Sequence, residues 1–241
     1  MSRISCLVAM SATALIIGGS NYSAHAETLP PYAPKIDPAN FTDKITNPYF
    51  PLIAGTIFVY EGKRDDQFRR DEMTVTRDTR VIMGVRCVVV RDTASSNMEV
   101  LEKTTDWYAQ DLEGNVWYFG EDTAEYKNGK VISTSGTWMA GVDGALPGIV
   151  MKASPVVGDA YRQEYHAGVA EDFAKVVKKD EKVQTAVGMH DNVLVTEDID
   201  LLDKAKTEQK FYAPGLGLVA TIGTVNGHHE ERRLTAISKP F

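Results

Sequence analysis

The stretch MTVTRDTRVIMGVRCVVVR, residues 73–91, decides the fold. From Met73 to Thr79 apolar and polar side chains alternate, as they do on a half-buried strand. Met83-Gly84 then reads as a tight turn, and Val85 to Arg91 is rich in β-branched residues. Strand, turn and strand in so short a span are a hairpin signature. Cys87, in the second strand, shares a face with Val85 and Val89, which predicts a buried and inert thiol.

The same pattern spreads in both directions. Upstream, Thr56-Ile57-Phe58-Val59-Tyr60 is β-branched and aromatic. Downstream, Val100 to Gln110 and Val116 to Gly120 flank a turn at residues 111–115, and Asn128-Gly129 sits between Tyr126 and Val131-Ile132. Asn-Gly is the strongest short hairpin signal, because both turn residues take positive φ. Val183 to Val187, Asn192 to Ile199, Thr207 to Tyr212 and Leu216 to Val225 continue the series, and Asn226-Gly227 turns into Glu230 to Ile237. Short strands and turns this regularly spaced predict an all-β chain, an antiparallel meander forming a curved sheet or partly open barrel. Met139 to Pro155, with Gly141, Gly144, Pro147 and Gly148, reads as a long crossover loop. Glu171 to Lys179 fits either a short amphipathic helix or a strand, so the fold holds at most a short helix.

The N-terminus carries an address. Arg3, the apolar stretch Leu7 to Ile17 and the small-x-small sequence Ala24-His25-Ala26 form an export signal. The apolar stretch is shorter than the roughly 20 residues that span a bilayer, and no later segment is apolar enough for a transmembrane anchor. The expected organisation is a signal peptide at 1–26, a Pro-rich extended lead-in at 27–45 and a single β-rich domain at 46–241. The expected location is exported, periplasmic or secreted. The turn-rich aromatic segment Asn47-Pro48-Tyr49-Phe50-Pro51-Leu52 is expected to plug an edge or end of the core. Cleavage after Ala26 removes Cys6 and leaves Cys87 alone, so no internal disulfide is expected. The chain has 26 Lys and Arg against 33 Asp and Glu, a net charge of −7, and loses one more base with Arg3. That excludes sequence-independent nucleic-acid binding, which needs a basic surface, and an electrostatic dock on anionic lipid.

The Asn47 to Leu52 segment followed by Gly55-Thr56, Asp106-Trp107-Tyr108-Ala109-Gln110-Asp111, Gly114-Asn115-Val116-Trp117-Tyr118-Phe119-Gly120-Glu121-Asp122, Gly141-Val142-Asp143-Gly144-Ala145 and Tyr212-Ala213-Pro214-Gly215-Leu216-Gly217-Leu218-Val219 form a set of distinctive segments. Together they resemble an uncharacterised family of exported bacterial β-rich proteins. The resemblance implies fold and export and carries no catalytic residue. His190 departs from the family pattern, which implies an aromatic residue near that point, and reads as a substituted core position.

No known catalytic motif emerges. Gly215-x-Gly217-x-x-Ala220 lacks the helix that a dinucleotide fingerprint requires, because Val219 to Ile222 reads as strand. No cofactor is expected. His228-His229 cannot both serve one metal from a strand, where neighbours point to opposite faces, and Asp111 to Asn115 lacks the full calcium-loop spacing. No metal site is expected. Glu121, Asp122 and Glu125 form an acidic cluster that paired-carboxylate hydrolysis would use. The most suggestive group is aromatic: Trp107, Tyr108, Trp117, Tyr118 and Phe119 put large rings on both faces of two adjacent strands. One face suffices for a core, so the other is the candidate ligand-binding surface. The leading expectation is a non-catalytic module holding an apolar or amphipathic small molecule. The alternatives are a secreted hydrolase acting through carboxylates near Glu121 and Asp122, and a purely structural or partner-binding protein.

Overall fold

The computed structural model describes residues 32–203, 207–225 and 227–239. The expected export signal at 1–26, the start of the expected lead-in and Asn226 lie outside the described residues. Among the described residues there is no α-helix, and no helix is long and apolar enough to cross a membrane. A single 3-10 turn, Pro38–Asn40, is capped by Asp37, whose carboxylate accepts from the Ala39 amide.

The strands in chain order are β1 (Phe41–Thr42), β2 (Ile57–Arg64), β3 (Gln67–Ile82), β4 (Val85–Ser96), β5 (Glu99–Asp111), β6 (Val116–Lys127), β7 (Lys130–Ser133), β8 (Trp138–Met139), β9 (Leu146–Met151), β10 (Ala160–Arg162), β11 (Glu164–Tyr165), β12 (Asp172–Thr185), β13 (Gly188–Asp200), β14 (Thr207–Ala213), β15 (Gly217–Val225) and β16 (His228–Ser238). Two antiparallel meanders, β2 to β6 and β12 to β16, are joined where β16 pairs with β2. The Met83-Gly84 and Asn128-Gly129 turns have φ of 51°/80° and 53°/71°. Positive φ at both positions is the two-residue geometry whose twist matches the flanking strands.

The sheet curls into a nearly closed barrel. Six consecutive residues bridge its two edges: Ala160–Arg162 pairs with β12, and Glu164–Tyr165 pairs with β9, which in turn lies on β6. Gln163, at the kink between them, donates its amide to the Asp172 carbonyl at 2.8 Å.

One segment differs from its sequence reading, and one left open between helix and strand is settled. The crossover at 139–155 is not all loop, because Leu146–Met151 is a strand that pairs with both β6 and β11. Its partners are remote in sequence, so the local Gly and Pro content masked it. The ambiguous Glu171 to Lys179 stretch is strand. Buried Ala174 and Val176 alternate with exposed Lys175, a period of two.

Two apolar clusters hold the fold. The larger fills part of the barrel interior, with Phe58, Tyr60, Val88, Val90, Leu194, Tyr212 and Leu234. The second lies on the outer face of β3 to β6 and includes Val85, Cys87, Val89, Trp107 and Phe119. Ile36 and Phe41 from the lead-in, with Ala140 and Ala145 from the crossover, cover it. Strand β4 is therefore buried on both sides, which explains its nearly continuous apolar run. Cys87 is fully buried, as expected, and desolvation pushes its thiol up to about 12.

Closure depends on a close backbone approach at Gly148. A Cβ placed there would lie 2.3 Å from the Gln163 carbonyl oxygen and 2.4 Å from its carbon. Those atoms belong to the bridging segment and cannot swing aside like a side chain. Gly148→Ala should therefore lower stability by about 2 kcal/mol, in the range of overpacking. Urea unfolding checks this, and an unchanged midpoint would show that the bridge yields freely.

Candidate functional site

The barrel interior is lined in two zones by successive inward residues of the same strands. On β2, Tyr60 gives way to Arg64; on β3, Met73 to Asp71; on β14, Tyr212 and Lys210 to Glu208; on β5, Tyr108 and Asp106 to Glu102. The first residues of each row line an aromatic chamber of about 230 Å³. The second line a charged chamber of about 670 Å³ whose rim, at Glu102, Glu125 and Ile132, is exposed to solvent. Period-two alternation puts both zones on the inner face of the barrel, an apolar end beside an ionic mouth.

The apolar end is closed by the aromatic segment at 47–52, as its composition suggested. Asn47 is buried and pins the segment. Its side-chain amide donates to the carbonyls of Gly114 and Lys152 at 2.9 and 3.0 Å, and its Oδ1 accepts from the Tyr49 amide at 2.9 Å. The amides of Thr46 and Asn47 both donate to Gln110 Oε1 at 2.8 Å. Phe50 is thereby held with its ring centroid 5.4 Å from Tyr108 and 6.4 Å from Tyr212.

The five aromatic residues singled out in the sequence separate here. Tyr108 lines the chamber and stacks on Tyr118 at 4.7 Å and 14°. Trp107 and Phe119 point the other way and pack the outer cluster, where the Arg80 guanidinium sits 4.3 Å from the Trp107 ring. Trp117 rests against Phe41, and its indole N–H donates to Asp111 at 2.8 Å. The second aromatic face is thus covered by the lead-in and the crossover, two segments distant in sequence. The Asp111 carboxylate is occupied by its own turn, accepting also from the Asn115 amide and side chain at 2.8 Å each. His228 is exposed and bonds Asp65 at 2.5 Å, while half-buried His190 bonds Thr185 at 2.9 Å.

Carboxylates form a row across three strands. Glu121 lies directly opposite Asp106, and Asp92 is the diagonal neighbour of Asp106, because Val90 faces Asp106 and Asp92 faces Thr104. A bulge makes the row possible. Between Asp106/Glu121 and Tyr108/Tyr118, β5 advances two residues and β6 advances three. Gly120 occupies the bulge at φ 132°, where an added Cβ would meet the Trp138 carbonyl oxygen at 2.4 Å. Tyr118 and Glu121 therefore share the inner face, and the Tyr118 hydroxyl reaches Asp106 at 2.5 Å and Glu121 at 3.2 Å. Asp122 points outward and is exposed. The pair Glu121 and Asp122 suggested by the sequence is split by strand alternation, and the carboxylate facing Glu121 is Asp106.

Sequence reasoning passed over Asp92, Lys210 and Tyr212 as lining residues. Their signal was one of position: Asp92 continues the inward row Val88-Val90, and Lys210 and Tyr212 alternate inward with Glu208. The bulge had a signal too, since glycine inside a strand often marks one.

Three bases of the lumen are ion-paired, while Arg69, at the ionic mouth, meets the Gln67 side chain at 3.4 Å. Arg64 bonds Glu230 at 2.5 Å; Arg232 contacts Asp71, Glu230 and Glu208; Lys210 contacts Asp198 at 2.7 Å and Glu208 at 3.6 Å. Asp92, Asp106 and Glu121 form no ion pair with any described residue. Burial, reinforced by Asp106 and Glu102, pushes Asp92 up to about 7. Burial raises Asp106 to about 7 against the opposing Tyr118 hydrogen bond, and burial with Asp106 nearby raises Glu121 to about 8.

No protein-family model matches the chain, and no curated protein matches it. Among solved structures it is similar to a candidate exported protein of Bacteroides fragilis with a YmcC-like fold, at 17% identity and a TM-score of 0.47, covering 79% of this chain and 99% of that one. It is also similar to a candidate lipoprotein of Parabacteroides distasonis, at 13% identity and a TM-score of 0.42, covering 79% of this chain and 98% of that one.

The carboxylate row sets a pH dependence. The folded protein holds these protons at pH values where the unfolded chain has released them. Their contribution to stability is full below about pH 4 and is lost as pH rises through 7 to 8. Urea midpoints should fall between pH 5.5 and 8.5. Asp106→Asn should flatten the fall and be the more stable variant at pH 8.5, by about 2 kcal/mol. A variant less stable than the parent at pH 8.5 would show that the Tyr118 bond outweighs desolvation.

Proposed function

We propose that this chain is an exported barrel that holds an amphipathic small molecule in its lumen, with the apolar part against Phe50, Tyr108 and Tyr212 and the polar part toward the ionic mouth. The export signal at 1–26 supports the address. The observation that carries the binding reading is the aromatic chamber of about 230 Å³, with the charged one lined by the same strands. Concave, mostly apolar sites with a few placed polar groups are the usual form of small-molecule pockets. Of the candidate ligand-binding residues, Tyr108 contributes the lining and Tyr118 backs it, while Trp107, Trp117 and Phe119 support the wall from outside.

Two measurements test this. Native mass spectrometry of the chain purified from its own cell envelope should give a polypeptide starting at Glu27 with a noncovalent adduct that denaturation releases. Phe50→Trp places an indole on the chamber, and its emission should shift to shorter wavelength with octyl glucoside below its micellar concentration. Tyr108→Ala should weaken that response at least several-fold. No adduct and an unmoved Phe50→Trp emission would overturn the reading.

A further inference from the structure

Apart from Arg69 at the ionic mouth, the charges in and beside the lumen divide into two populations. Arg64, Arg232 and Lys210 each sit on acidic partners, so their charge is met within the protein. The row Asp92, Asp106 and Glu121 is different. Like charges directly opposite or diagonal across strands are destabilising, and a buried carboxylate without a cation is costly. Here a buried carboxylate, Asp106, lies between half-buried Asp92 and Glu121 on β4, β5 and β6, and Glu102 adds to their burden. Among the described residues, the side chain that hydrogen-bonds them is Tyr118, whose hydroxyl is shared by Asp106 and Glu121.

The row does not stand alone on the sheet. Asp92 and Asp106 line the aromatic chamber together with Tyr60, Tyr108, Tyr212 and Phe50. Aromatic faces carry negative potential and attract organic cations. Carboxylates and ring faces on one cavity wall present the same sign to a guest. Lys210 lines the chamber too, but its ammonium is taken by Asp198 and Glu208.

Resting on the lumen reading above, we propose that the aromatic chamber binds an organic ammonium, a small amine with an apolar body, whose charge sits beside Asp92 and Asp106 and whose body lies against Phe50, Tyr108 and Tyr212. Such a guest supplies the missing countercharge and fills the apolar space in one step. The raised pKa values of the row agree with this, since a cation would draw these groups back to the ionised form.

Three probes of one shape separate the possibilities: 4-phenylbutylamine, 4-phenylbutanol and 4-phenylbutyrate, titrated by calorimetry into the full mature chain at pH 8.5. The amine should bind at least ten-fold more tightly than the alcohol, and the carboxylate more weakly than either. Asp106→Asn and Asp92→Asn should each cut amine affinity at least five-fold and leave alcohol affinity within two-fold. The outward Asp122→Asn should change neither. Each variant's urea midpoint is measured alongside, so that unfolding is not read as lost affinity. Equal binding of amine and alcohol, or preference for the carboxylate, overturns the ammonium assignment and leaves the lumen reading standing. Binding of none of the three, with an unmoved Phe50→Trp emission, removes both.

Discussion

The whole architecture depends on six residues that belong to two edges at once. A curved antiparallel sheet has two free edges, each with a row of unmet amide and carbonyl groups. Ala160–Arg162 satisfies one and Glu164–Tyr165 the other. Without that bridge the strands would make an open curved sheet, and the inward residues of β2, β3, β5 and β14 would face solvent instead of each other. Gly148 makes a close contact with that bridge, which is why a strand of the crossover carries a glycine at a buried position. The lumen is a product of this closure and of nothing local to any one strand.

Once the barrel is closed, a second constraint decides what faces inward. Strict alternation would put Tyr118 and Glu121 on opposite sides of β6. The bulge at Gly120 adds one residue and brings both inside. It also admits β8 against the same strand, since Gly120 pairs with Met139 and Glu121 with Trp138. One backbone irregularity thus builds the carboxylate row and seats the crossover that covers the outer cluster. Bulges near functional sites commonly re-aim side chains in this way.

The parts legible in the sequence were those governed by neighbours. Met83-Gly84 and Asn128-Gly129 were readable as hairpins because turn chemistry is local. Cys87 was readable as buried because its flanking valines fix its face. The plug at Asn47 to Leu52 was readable from its prolines and rings, although not the partners of Asn47, which lie at Gly114 and Lys152. The aromatic pair of strands was correctly read as two-faced, yet which face was open depended on Phe41 and Ala140, far away in the chain. The strand at 146–151 and the edge-bridging at 160–165 were hidden for the same reason. Their pairing partners are non-local, and glycine and proline there serve close approach instead of loop flexibility. The acidic cluster was legible at Glu121, but neighbours on a regular strand point to opposite faces, and the carboxylate facing Glu121, Asp106, lies across the ladder.

The two ends of the lumen differ in how firmly they are built, and this bears on how a guest would enter. The apolar end is shut by a segment tied down through Asn47 and Gln110, and its ring contacts run through Phe50 to both Tyr108 and Tyr212. Opening it would break several part-buried hydrogen bonds together, each leaving an unmet polar group. The ionic mouth has no such lid among the described residues; its rim residues Glu102 and Glu125 are already in water. Entry through the mouth takes a guest past Glu102, Glu125 and the paired arginines before it meets Asp92 and Asp106. Any molecule making that passage must leave water for a chamber whose unmatched charges are all negative. With that end firmly tied down, a guest of the proposed kind would come upon the acidic row from the ionic side, so the row would act on it before the rings do.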